Sequence, residues 1–528
     1  MNNRSSTPRL GQVVRHPSLP GLGAVIRLVD SSALAVIQSS ETTPEADIFP
    51  VALADAADQS LRLDLWDTRR VDMRQCTPAG ELAAGDLNRL LRAMGKQAAR
   101  GHYEAFHTAR PFVPDTSSVP VSGKRYGAQE MENLIEASFD FWLTTGRFND
   151  DFEARLAAWL GRRFCLTANS GSSANLLAIA ALCSPKLGER RLKPGDEVIT
   201  TATGFPTTVA PLVQHGLVPV FLDTDPATGN IRPEQIAGAV TDKTRLICLA
   251  HTLGNPFDVA EVMRVARQHD LWVVEDCCDA LGARYSKDGL DGFCGTFGHI
   301  ATFSFYPAHH ITMGEGGAVV TDDPTLRKLL LSIRDWGRDC WCPPGVDNTC
   351  ARRYEWQFPL LPKGYDHKYV YSHMGYNLKI TDMQAAVGLA QLDRLEGFNA
   401  ERRQNFEFLH QSLSDLEGPL LTLPRPTPGS DPCWFGYLLT LGPDAGNREE
   451  LLRFMADHKI GTRLLFAGNI LRQPCAEGMV HRAPVPLTGT DTIMHRSLWV
   501  GLYPGLVREQ LQHTVDCLRR WLTHGTAA

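Results

Sequence analysis

Between residues 164 and 320 of this 528-residue chain, short apolar runs alternate with helical runs, and this alternation constrains the fold most. Parallel strands need crossover connections, usually helices, so the pattern predicts an α/β fold: a mostly parallel sheet with helices on both faces. The helical runs include 208–214 and 259–269. The predicted strands are Phe164–Ala168, Glu197–Thr201, Val218–Asp223, Arg245–Ala250, Leu271–Glu275, Ile300–Phe303 and Ala318–Val320.

The sequence on either side of this α/β region indicates further domains. Residues 1–80 contain short strand-like runs separated by Gly, Pro and Ser, typical of a small β module, for which we predict an SH3-like barrel. Its role stays open between docking or oligomerisation and an addition without function. Residues 81–123 predict a helix and a Pro-rich linker, 124–395 a large domain, and 396–528 a smaller C-terminal α/β domain. The module's runs are Gly11–Pro17, Gly23–Leu28, Ala33–Ile37 and Leu61–Trp66.

Helical periodicity also marks 84–110, 128–144, 150–161 and a long stretch from residue 381 toward 415. The last hundred residues add a strand at 434–441 and helices at 448–458 and 508–524.

Composition limits the partners and the compartment. The formal net charge is −6, which argues against a nucleic-acid surface over the whole chain. No apolar run reaches about 18 residues, so no membrane span is predicted. The N-terminus lacks the apolar core of a signal peptide, so we expect a cytoplasmic protein. Its 13 cysteines, an odd number, are then free thiols or metal ligands rather than a disulfide framework.

The polar segment 304–317 lies between two apolar runs and contains the pair His309 and His310. Buried backbone groups rarely give up their sheet hydrogen bonds without a functional reason, so such a segment is a candidate for a catalytic or binding site. A histidine there can take and give a proton near neutral pH. Taken alone, the pair favours the simpler interpretation of two histidines in a polar loop.

Two further features are typical of anion binding and charge pairing. Gly171, Ser172 and Ser173 follow a predicted strand and open a helix, whose first amides attract anions. Asp276 closes a buried strand, where a carboxylate needs a partner or acts as a cap. Gly-Ser turns are common, so the first motif is weak by itself.

Three cysteines crowd into eleven residues: Cys340, Cys342 and Cys350. Thiolates this close are soft ligands suited to zinc or iron–sulfur, and spacing alone favours neither. Three cysteines need a fourth ligand.

Segment 304–317 closely resembles the cofactor-lysine segment of the vitamin B6-dependent sugar aminotransferases of fold type I. In that family a lysine stands five residues after the serine and bonds covalently to the cofactor; here that position is His309. An imidazole cannot hold the cofactor in this way. The pattern is most similar to one subfamily, the iron–sulfur 3-dehydrases that act on CDP-4-keto-6-deoxyglucose, and the likeness runs from about residue 123 to the C-terminal helix.

The resemblance implies roles for individual residues. Gly171, Ser172, Ser173 and Ser304 would hold the phosphate of pyridoxamine 5′-phosphate or pyridoxal 5′-phosphate, with Asp279 also near the cofactor. Asp276 would pair with the pyridine nitrogen and Phe205 would stack on the ring, although a lone Phe is more often core. Asn377 would reach the phosphate of the neighbouring subunit, which implies a homodimer with shared sites. Cys278 would be the fourth ligand of a [2Fe-2S] cluster, with adjacent Cys277 as the alternative.

The implied activity is removal of the C-3 hydroxyl of a nucleotide-linked 4-keto-6-deoxyhexose, with His309 as base. A separate NADH-dependent iron–sulfur/flavin reductase would supply electrons, in the synthesis of 3,6-dideoxysugars of lipopolysaccharide O-antigens. Three alternatives remain: a sugar aminotransferase, a cluster-free 3-dehydratase and a non-enzymatic regulator with structural zinc. No residue distinguishes the nucleotide, and the resemblance suggests CDP.

Overall fold

The computed structural model describes residues 12–15, 22–28, 33–39, 48–53, 56–72, 77–81, 84–107, 111–340, 342 and 345–524. The strands are β1 (Gln12–Arg15), β2 (Leu22–Leu28), β3 (Ala33–Ser39), β4 (Ile48–Leu53), β5 (Ala56–Asp72), β6 (Thr77–Glu81), β7 (Phe164–Ala168), β8 (Glu197–Thr201), β9 (Val218–Leu222), β10 (Thr244–Ala250), β11 (Trp272–Asp276), β12 (Arg284–Lys287), β13 (Leu290–Phe293), β14 (Ile300–Ser304), β15 (Gly317–Thr321), β16 (Leu421–Thr422), β17 (Ser430–Asp431), β18 (Gly436–Leu441), β19 (Thr462–Arg463) and β20 (Ser497–Gly501).

The helices are α1 (Ala84–Phe106), α2 (Ala128–Asp140), α3 (Arg147–Leu160), α4 (Gly171–Leu182), α5 (Pro206–Gln214), α6 (Ile236–Ala239), α7 (Val259–His269), α8 (Pro324–Arg334), α9 (Asp382–Leu392), α10 (Leu395–Leu413), α11 (Arg448–Asp457), α12 (Thr488–Arg496) and α13 (Arg508–His524). Among the helices described here, none is long and apolar enough to cross a membrane.

The chain divides into two compact units, residues 1–109 with 127–141 and residues 110–126 with 142–528. The first unit holds an antiparallel sheet in the order β4-β5-β3-β2-β1-β6. In the same unit α1 packs on α2, where Arg92 pairs with Glu136 and Asp140. The four predicted strands are present, although residues 11, 16 and 17 of the first lie outside the described residues. The domain limits and the SH3-like form stay predictions.

The second unit is built on a seven-stranded sheet in the order β7-β15-β14-β11-β10-β8-β9. The contiguous pairs from β14 to β9 are parallel, and β15 runs antiparallel to both its neighbours. The predicted mostly parallel α/β sheet is therefore confirmed. Each predicted strand matches its observed bounds within one residue.

Successive side chains of the central strands point to opposite faces of the sheet, so each strand contributes to two cores. Leu246 and Val274 pack with α4 and α8 on one face. Their neighbours Ile247 and Val273 pack with α6 and α7 on the other face. Helices on both faces were predicted. Because they cover both faces of the sheet, the ends of its strands are held in defined positions.

The C-terminal part of the second unit carries a four-stranded sheet, β16-β18-β20-β19, packed against α10, α11 and α13. The long helix predicted from residue 381 is in fact two helices, α9 and α10, interrupted at Asp393 and Arg394. Neither Gly nor Pro marks the break, so the apolar periodicity runs through it.

The start of α3 was also predicted wrongly, at residue 150 instead of Arg147. The carboxylate of Asp382 accepts hydrogen bonds from the amides of Gly146 (3.0 Å) and Asn149 (2.8 Å) and so caps the helix. A carboxylate at these first amides satisfies donors that a helix leaves unpaired.

Candidate active site

A cavity of about 770 Å³ opens where the parallel strands of the second unit end. Asp276 ends β11, Ser304 ends β14, and α4 begins beside them with Gly171. Arg463 and Trp499 reach the same cavity from the smaller sheet. Ligands of open α/β sheets bind at this edge, outside the carboxyl ends of the strands.

Gly171 lets the first turn of α4 approach the end of β14. A Cβ atom at this position would lie 2.5 Å from the Ser304 Cβ and 2.8 Å from the Cys278 Sγ. Any larger residue would therefore push the helix start away from the strand end. The helix N-terminus lines the cavity, as an anion site requires.

The serines of this turn differ in position. Ser172 lines the cavity and donates its hydroxyl to Thr207 Oγ1 at 3.0 Å. Ser173 is not among the cavity-lining residues; its amide donates to the Ser170 hydroxyl and its hydroxyl accepts from the Ser170 hydroxyl, each at 3.0 Å. Ser170, which sequence reasoning left out, caps α4 and lines the cavity. Its signal was the serine directly before the glycine, a common N-cap pattern.

Asp276 is buried and held by neutral donors. Its Oδ2 accepts from Asn175 Nδ2 at 2.8 Å and from Thr208 Oγ1 at 2.7 Å. Its Oδ1 accepts from the amide of Cys278 at 3.1 Å. The carboxylate thus faces the cavity with hydrogen bonds fixing its orientation, and a cationic ligand atom would complete its surroundings.

His309 lies in the loop after β14, and its ring contacts the ring of Phe435 with centroids 5.1 Å apart. Its Nδ1 is buried 3.4 Å from Asp279 Oδ1, without hydrogen-bond geometry to any described residue. Burial, helped by the nearby charge of Arg402, lowers the pKa of His309 to about 4. The imidazole is therefore neutral at pH 7 and able to accept a proton.

Asp279 has the opposite shift. Burial, together with the negative charge of Asp276, raises the pKa of Asp279 to about 8. At pH 7 the facing pair is then a neutral imidazole and a protonated carboxyl. Such a carboxyl can accept a hydrogen bond through its carbonyl oxygen or donate one through its hydroxyl.

Arg402 was not predicted as a site residue, because it lies within a long helical pattern. Its guanidinium is buried and donates to three backbone carbonyls, those of Trp434 (3.4 Å), Phe435 (3.3 Å) and His309 (3.2 Å). Burial lowers the pKa of Arg402 to about 10, so it stays charged at neutral pH. It ties the His309 loop to the segment before β18.

Two other predicted residues lie in different places. Phe205 lines the cavity, half exposed, with its ring edge-on to Phe466 at 5.8 Å. Asn377 is not among the residues lining this chain's cavity; its side chain accepts from Lys379 Nζ at 2.7 Å and its backbone bridges to Asp335. Its reach to a neighbouring subunit stays a prediction.

The cysteines form a second group. Ligand atoms of Cys340, Cys342 and His367 all lie within 4.8 Å of one another. Cys350 Sγ lies 3.5 Å from His367 Nε2. Burial raises the pKa of Cys342, but hydrogen bonds from Thr349 outweigh it and bring that pKa down to about 7. This group can therefore offer a thiolate near neutral pH.

Cys278 is apart from that group in the described chain. It lines the large cavity, and its Sγ packs where a side chain at Gly171 would lie. Cys277 is fully buried and is not among the cavity-lining residues; its Sγ groups with His251 and Glu275. His251 Nε2 and Glu275 Oε2 are both buried and lie 3.0 Å apart, and the Glu275 carboxylate also accepts from the amides of Gly295 and Gly298.

The fold and the cavity together define the class of this protein: it has the fold of the fold type I aminotransferases, as the sequence predicted. The pattern of the DegT/DnrJ/EryC1/StrS aminotransferase family matches residues 124–519. The chain belongs to this family of sugar-modifying enzymes.

Individual relatives are similar over most of the chain. It is 56% identical over 430 residues to the lipopolysaccharide biosynthesis protein RfbH of Salmonella typhimurium, which covers 81% of this chain and 97% of that protein. It is 46% identical over 448 residues to the dTDP-4-dehydro-2,6-dideoxy-D-glucose 3-dehydratase of Saccharopolyspora spinosa, covering 85% and 94%. The solved structure of the E. coli GDP-4-keto-6-deoxy-D-mannose-3-dehydratase with bound hydrated PLP has a TM-score of 0.67 at 29% identity, covering 76% of this chain and 99% of that one.

Proposed function

We propose that this chain removes the C-3 hydroxyl of a nucleotide-linked 4-keto-6-deoxyhexose, using pyridoxamine 5′-phosphate and a [2Fe-2S] centre. The observation that carries the proposal is His309. None of the described residues lining the large cavity is a lysine, and a neutral histidine stands where the resembling aminotransferases carry one. Two similar proteins are named as 3-dehydratases, which supports the same reaction class.

The cavity fits the cofactor at three points. The first turn of α4, with Gly171, Ser172 and the hydroxyl of Ser304, offers amides and hydroxyls for a phosphate. Asp276 offers a buried carboxylate for a protonated pyridine nitrogen, and Phe205 offers an aromatic face. When bound, the cofactor would supply a ring that takes up electrons during loss of the hydroxyl.

His309 acts as the base in this account. Its Nδ1, 3.4 Å from Asp279 Oδ1, faces a carboxyl that could accept from an Nδ1–H, and this tautomer would leave the Nε2 lone pair to take up a proton in the cavity. Arg402 holds the loop through the His309 carbonyl, so the imidazole keeps its position.

The cysteine group fits the electron-supplying centre. Thiolates are soft ligands of the kind that iron–sulfur clusters use, and Cys340, Cys342 and Cys350 meet in one segment. Electrons come from a separate NADH-dependent reductase in this proposal. The chain acts as a homodimer, with Asn377 reaching the partner's phosphate site, in the synthesis of 3,6-dideoxysugars for lipopolysaccharide. The nucleotide is CDP by family resemblance; the similar enzymes named above act on dTDP and GDP sugars.

The test begins with protein purified without oxygen. We expect visible absorption, an EPR signal on reduction, and equal iron and acid-labile sulfide, two of each per chain. With pyridoxamine 5′-phosphate, reductase and NADH, CDP-4-keto-6-deoxyglucose should yield a 3-deoxy sugar. A 4-amino sugar formed with glutamate as donor would identify an aminotransferase instead. Dehydration without iron would identify a cluster-free 3-dehydratase, and bound zinc without turnover would favour the regulator.

A further inference from the structure

We propose that one water molecule binds beside His309, between Nδ1 of His310 and Nε of Arg402, and that His310 acts through this water as a positioning residue for His309. The site is a second, small cavity of about 10 Å³, and His309 lines both this cavity and the large one. The water site rests on geometry alone. Its role toward His309 rests on the proposed function, in which His309 is the base.

The small cavity has room for a single water molecule. Its volume is close to the ~10–15 Å³ that a buried water needs. It is lined by the loop after β14 and by α9 and α10, with polar side chains from His310, Thr312, Gln391 and Arg402. Cavities that stay dry are apolar, so this lining favours water.

Two buried nitrogens of the lining residues lack a partner in the described chain. His310 is 2% exposed and Arg402 is 1% exposed. Neither Nδ1 of His310 nor Nε of Arg402 makes a hydrogen bond to any described residue. Buried polar groups are nearly always paired with protein or with ordered water. Two such atoms on the residues that line one water-sized cavity therefore point to a bridging water.

The two nitrogens have the complementary characters that a bridging water requires. His310 Nε2 lies 2.9 Å from the carbonyl oxygen of Cys433, an acceptor, so Nε2 carries the proton. Burial, helped by the charge of Arg402, lowers the pKa of His310 well below its ordinary value, so the ring is neutral and Nδ1 keeps its lone pair. The Nε–H of Arg402 is a donor. Water can donate to the first nitrogen and accept from the second.

The same characters disfavour an ion in the small cavity. A chloride ion only accepts hydrogen bonds, so it would leave Nδ1 of His310 unpaired. A sodium ion would face the charged guanidinium of Arg402, and Lys124 and Arg125 add positive charge at the exposed edge of the cavity. Water is the one of these three that satisfies both nitrogens.

The bridge fixes the peptide between His309 and His310 from both ends. Arg402 Nη2 donates directly to the carbonyl oxygen of His309 at 3.2 Å. Nε of the same guanidinium binds the side chain of His310 through the water. A displacement of a catalytic group by about 1 Å can cost about 10²-fold in rate, so this double attachment matters for the base. His310 itself does not line the large cavity and acts only through its neighbour.

A high-resolution crystal structure of the full-length protein, with and without pyridoxamine 5′-phosphate, tests the site directly. We expect one water peak within hydrogen-bond distance of both His310 Nδ1 and Arg402 Nε. A cavity without density, anomalous scattering from chloride, or a water that contacts neither nitrogen overturns the proposal. This result does not depend on the reaction, so it stands apart from the proposed function.

Two variants separate the water from the Cys433 contact of His310. In His310→Gln the side-chain amide reaches the position of Nε2 and keeps the contact with the Cys433 carbonyl, but no acceptor remains at Nδ1. In His310→Asn the amide oxygen takes the position of Nδ1 and keeps the water, while the Cys433 contact is lost. The crystal structures should therefore show the water peak in His310→Asn and not in His310→Gln.

The rate test is exchange of the methylene hydrogens of bound pyridoxamine 5′-phosphate with D₂O. We expect exchange about tenfold slower in His310→Gln, the loss expected for one hydrogen bond, and rescue to within about threefold of wild type in His310→Asn. Circular dichroism checks that each variant is folded. The reverse order would assign the role of His310 to its Cys433 contact and overturn the positioning role, as would equal rates in all three proteins.

His481→Gln is the matched control. His481 also has a ring nitrogen near a backbone carbonyl, Nδ1 at 2.9 Å from that of Met479, but it is exposed and does not line either cavity. Its exchange rate should equal that of wild type. If wild type itself shows no methylene exchange, the proposed function fails, and the water peak still decides the site.

Discussion

The large cavity and the cysteine segment, residues 339–371, are built in different ways. In the cavity the chemical groups stand at the ends of β11 and β14 and at the first turn of α4. The cysteine segment has no α-helix or strand among its described residues, and ion pairs such as Arg353–Asp366 hold its turns. In the proposed function, proton transfer belongs to the sheet edge and electron supply to a loop held by ion pairs. Because the two sites use separate supports, we expect that each can be removed without the other.

The largest effect should come from His309→Asn, which removes the base from the cavity. Asparagine is smaller but polar and cannot accept the proton, so exchange of the cofactor methylene hydrogen with solvent should fall about 10²- to 10⁴-fold. Proton NMR of bound pyridoxamine 5′-phosphate in D₂O measures this rate. Iron content should equal that of wild type. Exchange at the native rate would assign the base to another residue.

Gly171→Ala should damage the cavity through packing alone. Its Cβ would meet Ser304 at 2.5 Å, and forcing a methyl group into packed structure costs about 1–3 kcal/mol. Cofactor affinity should fall about 10- to 100-fold, measured by fluorescence titration, with the metal content unchanged. Gly397→Ala, where nothing lies within 4 Å of an added Cβ, is the matched control and should bind normally. Equal affinity in both variants would show that the helix start is free to shift.

Asp279→Asn should produce the smallest effect, visible in the pH dependence of stability. The folded pKa of Asp279 is about 8, above its unfolded value, so folded protein keeps a proton that unfolded protein releases. Wild-type stability should therefore fall as pH rises toward 8. His309, with its pKa lowered to about 4, has the opposite effect but only below about pH 6.5.

From pH 6.5 to pH 8, the difference between the free energies of unfolding of Asp279→Asn and wild type should therefore shift by about 1–2 kcal/mol in favour of the variant. Urea denaturation of both proteins at the two pH values measures the difference. Parallel curves would mean that Asp279 is ionised in the folded protein.

The sequence allowed a better prediction of the strands around the large cavity than of the cysteine segment, for physical reasons. Fully buried strands such as β14 and β15 are short, mostly apolar runs bounded by turn residues, so their limits can be predicted from the local sequence. The start of α3 depends on Asp382, more than 200 residues away, which no local pattern reveals. Arg402 could not be predicted either, because the carbonyls that it contacts are distant in sequence and its own segment shows only a helical pattern.

The cysteine segment could be predicted only in part. The sequence marks Cys340, Cys342 and Cys350 as neighbours, but His367 joins them only through the folding of a loop without regular periodicity. Cys278 and Cys277 are adjacent in sequence, yet Cys278 lines the cavity and Cys277 is buried beside His251 and Glu275.

The central claim is that His309 carries proton removal while the cysteine segment carries electrons, and Cys342→Ser tests it most directly. Oxygen is a harder ligand than thiolate, so this variant should lose its iron–sulfur centre. We predict native methylene exchange and sugar-nucleotide binding, native circular dichroism, and no 3-deoxy product with reductase and NADH. Full 3-deoxy sugar formation by the folded, iron-free variant would contradict the account.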